Sequence, residues 1–110
     1  MKLNGKAAIV TGGTKGIGRG IAEALVREGV NVCISARNEE EIEQAVGELG
    51  ELGEGTAAGA VCDVRDYEQV RALIAHAVSE FGGLDILVNN AGIGIFAPVE
   101  ELAPDDFRAV

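Results

Sequence analysis

Eight consecutive residues, Thr11-Gly12-Gly13-Thr14-Lys15-Gly16-Ile17-Gly18, have the types and spacing of a turn that can hold a phosphate group. They follow the apolar run Ala7-Ala8-Ile9-Val10 and precede an amphipathic stretch that opens near Gly16, so they join a buried strand to a helix. A helix start leaves backbone N–H groups without intrahelical partners and carries about half a positive charge, and side-chain-free residues let a diphosphate come close to it. Gly12 suits the tight turn off the strand, Gly16 the backbone contact with the anion, and Gly18 the packing of helix on sheet. Without a ligand the same turn is an ordinary strand-to-helix connection. Its context argues for more: a strand precedes it, a helix with Ile17, Ile21, Ala24 and Leu25 expected on one face follows, and a second strand runs from Val30 to Ser35.

The elements that must position this turn alternate without a break. Strands are expected at Ala7 to Thr11, Val30 to Ala36, Thr56 to Val61 and Asp85 to Asn89, with helices at Gly16 to Glu28, Glu39 to Leu52 and Tyr67 to Phe81. Strands apolar at every residue, such as Ile86-Leu87-Val88, are covered on both faces, and helical crossovers between them imply a parallel sheet sandwiched by helices. The fold class is α/β, a doubly wound parallel sheet. The second helix ends in the glycine-rich Gly47 to Gly55 stretch, where fraying is expected and the glutamates read as a solvated face. Pro104 marks the start of a further helix, which the sequence leaves about two turns long at Val110. The fourth strand then has an apolar open edge with no lysine, proline or bulge to protect it, and self-association through it is expected.

The 110 residues make one domain or part of one, and a 47% hydrophobic share without any apolar run near ~18 residues speaks against a membrane span. A formal net charge of −9 argues against nucleic acid or an anionic membrane as partner, because both reward a basic stripe. Lys15, Arg19 and Arg37 can still supply a local patch for an anionic ligand. The start of the chain lacks the pattern of an export signal, so the expected location is the cytoplasm. Cys33 and Cys62 fall inside expected strands and read as small core hydrophobes, and His76 reads as a surface residue of a helix; no metal site is expected.

With TGGTKGIG after the first strand, Asp63 in Cys62-Asp63-Val64 after the third, and Asn89-Asn90-Ala91-Gly92 after the fourth, the chain resembles the short-chain dehydrogenase/reductase family, over essentially all of its length. The resemblance implies the N-terminal part of a Rossmann-type domain with strand order 3-2-1-4 and a nicotinamide dinucleotide as cofactor. It places Gly12, Gly16 and Gly18 against the pyrophosphate with the Ile17 backbone beside it, and adds Thr14 of the same turn to the cofactor-binding residues, while Lys15 can face an adenosine 2′-phosphate. Asp63 would accept from the adenine amino group with the Val64 N–H facing the ring, and Asn89, Ala91 and Gly92 would border the ribose. Asn89 and Asn90 serve equally well as a turn-forming pair that satisfies loop backbone. In this fold a carboxylate at the end of the second strand selects NAD and a basic residue there accommodates the 2′-phosphate of NADP. Ala36 stands at that position, followed by Arg37, so NADP (NADPH) is favoured over NAD. One charge-assisted hydrogen bond from Arg37, at ~1.5–3 kcal/mol, accounts for a preference of about tenfold to a hundredfold.

The family's chemistry uses a tyrosine acid/base, a lysine that lowers its pKa, and a carbonyl-polarising serine. The one tyrosine, Tyr67, has Arg71 rather than lysine four residues on, so no catalytic residue is assigned within this chain; the resemblance places that set beyond Val110. One reading is therefore the cofactor-binding part of an NADP-dependent oxidoreductase acting on a small-molecule or acyl-carrier-linked carbonyl, with a homo-oligomer expected. The alternative is a noncatalytic dinucleotide-binding or interaction module.

Overall fold

A computed structural model describes residues 3–53, 55–89 and 96–98, the last three by backbone alone. The elements run β1 (Ala7–Thr11), α1 (Gly16–Arg27), β2 (Asn31–Ala36), α2 (Glu39–Leu49), β3 (Ala57–Val61), α3 (Tyr67–Phe81), β4 (Ile86–Asn89) and β5 (Phe96–Pro98). The sheet order is β3-β2-β1-β4-β5. The first four strands are parallel, in the expected order 3-2-1-4, and β5 is antiparallel to β4.

The alternation of strand residues builds two cores. Ala8, Val10, Val32, Ile34, Ile86 and Val88 point to one face, where Ala22, Leu25 and Val26 of α1 and Ala45 and Leu49 of α2 cover them. Ile9, Cys33 and Leu87 point to the other, under Leu73 and Ala77 of α3. Helices on both sides of a parallel sheet explain why its strands read as unbroken apolar runs. The expected stripe on α1 is rotated: Gly18, Ala22, Leu25 and Val26 are buried, whereas Ile17 is 76% exposed and Ala24 is exposed. The buried set keeps the three- and four-residue spacing that faces a sheet, and Ile17 lies one residue off it.

Two expectations about the periphery change. The α2 helix stops at Leu49, with Gly50 closing it, three residues before the expected end, consistent with the low helix propensity of glycine. The edge of β4 is not open: Ile86, Leu87 and Val88 pair with Pro98, Ala97 and Phe96 of β5, so the edge from which self-association was expected is already occupied. The helix expected after Pro104 lies outside the described residues.

Candidate functional site

Parallel strands deliver their following loops to one end of the sheet, and a cleft of about 480 Å³ opens there at the ends of β1, β2 and β3. Three segments wall it: Gly12, Thr14 and Lys15 from the turn before α1; Ser35 to Asn38 and Glu41 from the end of β2 and the start of α2; and Cys62 to Arg65 from the loop after β3. Gly12, Thr14, Lys15, Arg37, Asp63 and Val64, singled out in the sequence, thus meet around one space. Gly16, Ile17 and Gly18 form the adjoining first turn of α1. Asn89 ends β4 beside β1, where the Thr11 hydroxyl lies 3.1 Å from its Oδ1. Ala91 and Gly92, like Asn90, lie outside the described residues.

The turn before α1 is held by β2. The N–H groups of Gly12 and Gly13 donate to the Ser35 carbonyl at 2.8 and 3.3 Å, and Gly12 and Gly16 adopt φ of +65° and +64°, which glycine tolerates. Gly13, absent from the residues singled out above, is fixed by packing: a Cβ there would stand 2.6 Å from Ile34 Cγ2 and 3.1 Å from the Val10 carbonyl oxygen. No spacing rule reveals that contact, because Ile34 comes from a different strand.

The helices α1, α2 and α3 begin differently. Asn38 caps α2 by accepting from the Glu41 N–H at 3.0 Å, and Asp66 caps α3 by accepting from the N–H groups of Glu68 and Gln69. At α1 the cap position is Lys15, whose side chain makes no cap hydrogen bond, and the first turn carries no acid. Space in front of Gly16 is open. A helix start without a side-chain cap keeps N–H groups and a positive dipole end available to an anion. Ser35, at the end of β2 beside the cleft, is fully buried, and its hydroxyl has no partner among the described residues.

The cationic patch is smaller than expected. Arg19 turns away to Glu48, with Nη2 to Oε1 at 2.9 Å, and to Glu23, whose carboxylate lies 3.0 Å from Nε but off the line of its N–H. Hydrogen bonds from Arg19, then Gln44, hold the Glu48 carboxyl below its ordinary pKa. Glu48 thus pairs with α1 while staying on the exposed, solvated face expected of it. Lys15 Nζ lies 3.9 Å from Glu41 Oε1, and the Thr14 hydroxyl 3.4 Å from the same oxygen.

Asp63 is engaged as well. Arg65 donates to it from its backbone N–H at 3.0 Å, from Nε at 3.0 Å and from Nη2 at 2.8 Å. The side-chain bonds, then the backbone bond, hold the Asp63 carboxyl well below the usual carboxylate range, and Arg37 adds a weaker electrostatic pull from across the cleft. The Asp63 N–H is also occupied, donating to Gln69 Oε1 at 2.8 Å. A ligand amino group would therefore share Asp63 with Arg65, a competitor the motif alone did not disclose.

Cys33 and Cys62 are buried free thiols, and burial, with smaller effects of Glu80 and Cys62, pushes Cys33 up to about 12. His76 is half-buried on α3 rather than solvated, and no cluster of metal-ligating side chains occurs among the described residues. Tyr67 opens α3 with the Arg71 guanidinium 6.0 Å from its ring centroid. No helix among the described residues is long and apolar enough to cross a membrane.

A family model for short chain dehydrogenases matches residues 6–110. The chain belongs to the short-chain dehydrogenase/reductase family. Among relatives in this family, an uncharacterized oxidoreductase of Methylorubrum extorquens is 40% identical over 109 residues, covering 99% of this chain and 44% of the relative. D-beta-hydroxybutyrate dehydrogenase of Cupriavidus necator is 39% identical over 109 residues, 98% of this chain and 42% of its own length. A crystal structure of a variant actinorhodin polyketide ketoreductase with NADPH superposes with a TM-score of 0.74 at 43% identity, over 93% of this chain and 38% of the ketoreductase. The chain thus spans about two fifths of the length of the curated relatives it matches.

Proposed function

We propose that this chain binds the adenosine diphosphate half of a nicotinamide dinucleotide, NADP in preference to NAD, as the cofactor-binding portion of a short-chain oxidoreductase. The nicotinamide, when bound, supplies hydride transfer to or from a carbonyl or alcohol. The observation that carries this reading is the uncapped start of α1, with Gly16 open before it, beside a cleft whose wall includes Arg37. In that cleft the first-turn N–H groups would hold the diphosphate, Arg37 and Lys15 the 2′-phosphate, and Asp63 and Val64 the adenine. Asn89, with Ala91 and Gly92, would border the ribose. The lack of an acid at Ala36 favours the phosphorylated cofactor, and the relative solved with NADPH supports it. The names of the relatives, a hydroxybutyrate dehydrogenase and a polyketide ketoreductase, support a carbonyl or alcohol substrate.

Fluorescence titration of Arg37→Ala combined with Lys15→Ala tests the assignment. NADPH affinity should fall about tenfold or more while NADH affinity changes little, since charge-assisted bonds to the 2′-phosphate are lost in one case only. Equal losses for both cofactors would remove it. A second reading, a noncatalytic dinucleotide-binding module, gains support from β5, which covers the β4 edge that such a module must protect. NADPH-dependent carbonyl reduction by the 110-residue chain would exclude that module.

A further inference from the structure

Glu41 is an acidic side chain that the cleft places beside Lys15, and the sequence reading did not single it out. Its position is set from both sides. The Asn38 cap binds its N–H at 3.0 Å, and the next residue, Ile42, is buried against β3, where Gly59 leaves room for its Cγ2. With the helix start anchored and its apolar face docked, the Glu41 carboxylate reaches across to the turn before α1. There one oxygen lies 3.4 Å from the Thr14 hydroxyl and 3.9 Å from Lys15 Nζ, and the residue joins Arg37 in the lining of the cleft. Both contacts are long for their type, and the Lys15 side chain is 81% exposed, so they hold the carboxylate weakly.

We infer that Glu41 is a built-in competitor for the 2′-phosphate: in the free protein its carboxylate occupies Thr14 and Lys15, and it must leave them before a phosphate can take its place. The inference rests on the proposed binding of an adenosine dinucleotide in this cleft. A monoanionic carboxylate near a dianionic phosphate is repelled even after it swings away, whereas a 2′-hydroxyl carries no charge to repel. Glu41 therefore narrows the preference that Arg37 creates. It does so without standing at the end of β2, where this fold's discrimination between the two cofactors is read.

Calorimetric titration of the 110-residue chain with 2′,5′-ADP and with 5′-AMP isolates the adenosine end. In Glu41→Gln, 2′,5′-ADP should bind about three- to tenfold tighter, with the gain shrinking as salt is raised, and 5′-AMP should stay within about twofold. Glu43→Gln, the same charge change at an exposed position of α2 outside the cleft lining, should leave both ligands unchanged. Equal tightening by the two variants would assign the effect to bulk charge and overturn the inference. Weaker 5′-AMP binding in Glu41→Gln would also overturn it, by showing the carboxylate to be a ribose acceptor. If the unmutated chain binds both ligands and Glu41→Gln alters neither, the competitor role fails while the cofactor reading stands. If the chain binds neither, both fail together.

Discussion

The Thr11 hydroxyl lies 3.1 Å from Asn89 Oδ1 and 3.3 Å from the Val88 carbonyl, tying the end of β1 to the end of β4 across 78 positions of sequence. At the opposite end of the same pair, the Ala7 N–H donates to Asp85 Oδ2 at 2.9 Å and the Asp85 N–H to the Ala7 carbonyl at 2.9 Å. Side chains thus fasten this parallel pairing at both ends, and the alignment sets where the loop after Asn89 leaves the sheet.

Thr11→Val keeps the volume of this buried side chain and removes its hydroxyl. Stability should fall by about 1–2 kcal/mol, because acceptors at the strand ends lose a donor in a place water reaches poorly. Urea unfolding followed by circular dichroism measures the shift in midpoint; an unchanged midpoint would show the tie to be energetically idle.

Gly13→Ala should destabilise the chain by about 1–3 kcal/mol, since the new methyl group meets Ile34 and the Val10 carbonyl in a packed core. Gly16→Ala meets open space and suffers only from its φ of +64°, a strain of about 1–2 kcal/mol. The two variants separate in binding. On the proposed binding mode the methyl group added at position 16 stands where a diphosphate would approach, so Gly16→Ala should lose most NADPH affinity even under conditions where it is fully folded by thermal melt.

Cys33 should resist thiol reagents in the native state. Burial pushes its pKa up to about 12, so at pH 8 its thiolate fraction is on the order of a thousandfold below that of a free cysteine. Cys62 is also shifted up, by burial first and then by Asp63 and Asp66. Reaction with a chromogenic disulfide should be slow for both until denaturant is added; rapid labelling of Cys33 in the folded chain would contradict the buried assignment.

Arg65→Ala should destabilise the chain in a pH-dependent way. The Asp63 carboxyl is held lower in the folded state than in the unfolded one, so its contribution is complete above the ordinary carboxylate pKa of ~3.9. It is lost as pH falls through the depressed folded value. The stability gap between the two proteins should therefore be constant from neutral pH down to about pH 5 and close below about pH 4. A gap that stayed constant into the acid range would detach the effect from Asp63. Freed of Arg65, Asp63 should also be more available to a ligand amino group, which titration with 5′-AMP at pH 7 would read as tighter binding.

Much of the architecture was written in local pattern. Apolar runs bounded by glycine and polar residues marked β1 to β4, and the glycine turn, Asp63 and Asn89 fell at strand ends because parallel strands deliver their loops to one side of a sheet. What local pattern could not show were contacts between segments distant in sequence. β5 is three residues long and too short to carry a periodic signal, so the protection of the β4 edge emerged only from pairing. Gly13 is constrained by Ile34 of another strand, and Asp63 by an arginine that looks like any surface cation until its guanidinium is placed.

By itself the sequence determined the order of elements, the two-sided burial of the sheet and the presence of a glycine-rich turn between β1 and α1, because each follows from the types of neighbouring residues and the period at which they repeat. The tertiary structure decided how charge is distributed around that turn. It drew Arg19 away to Glu23 and Glu48 and brought Glu41 over to Lys15. Coulomb interactions depend on separation in space, and the rotation of a helix on its sheet, which sets those separations, is fixed by packing against residues far along the chain.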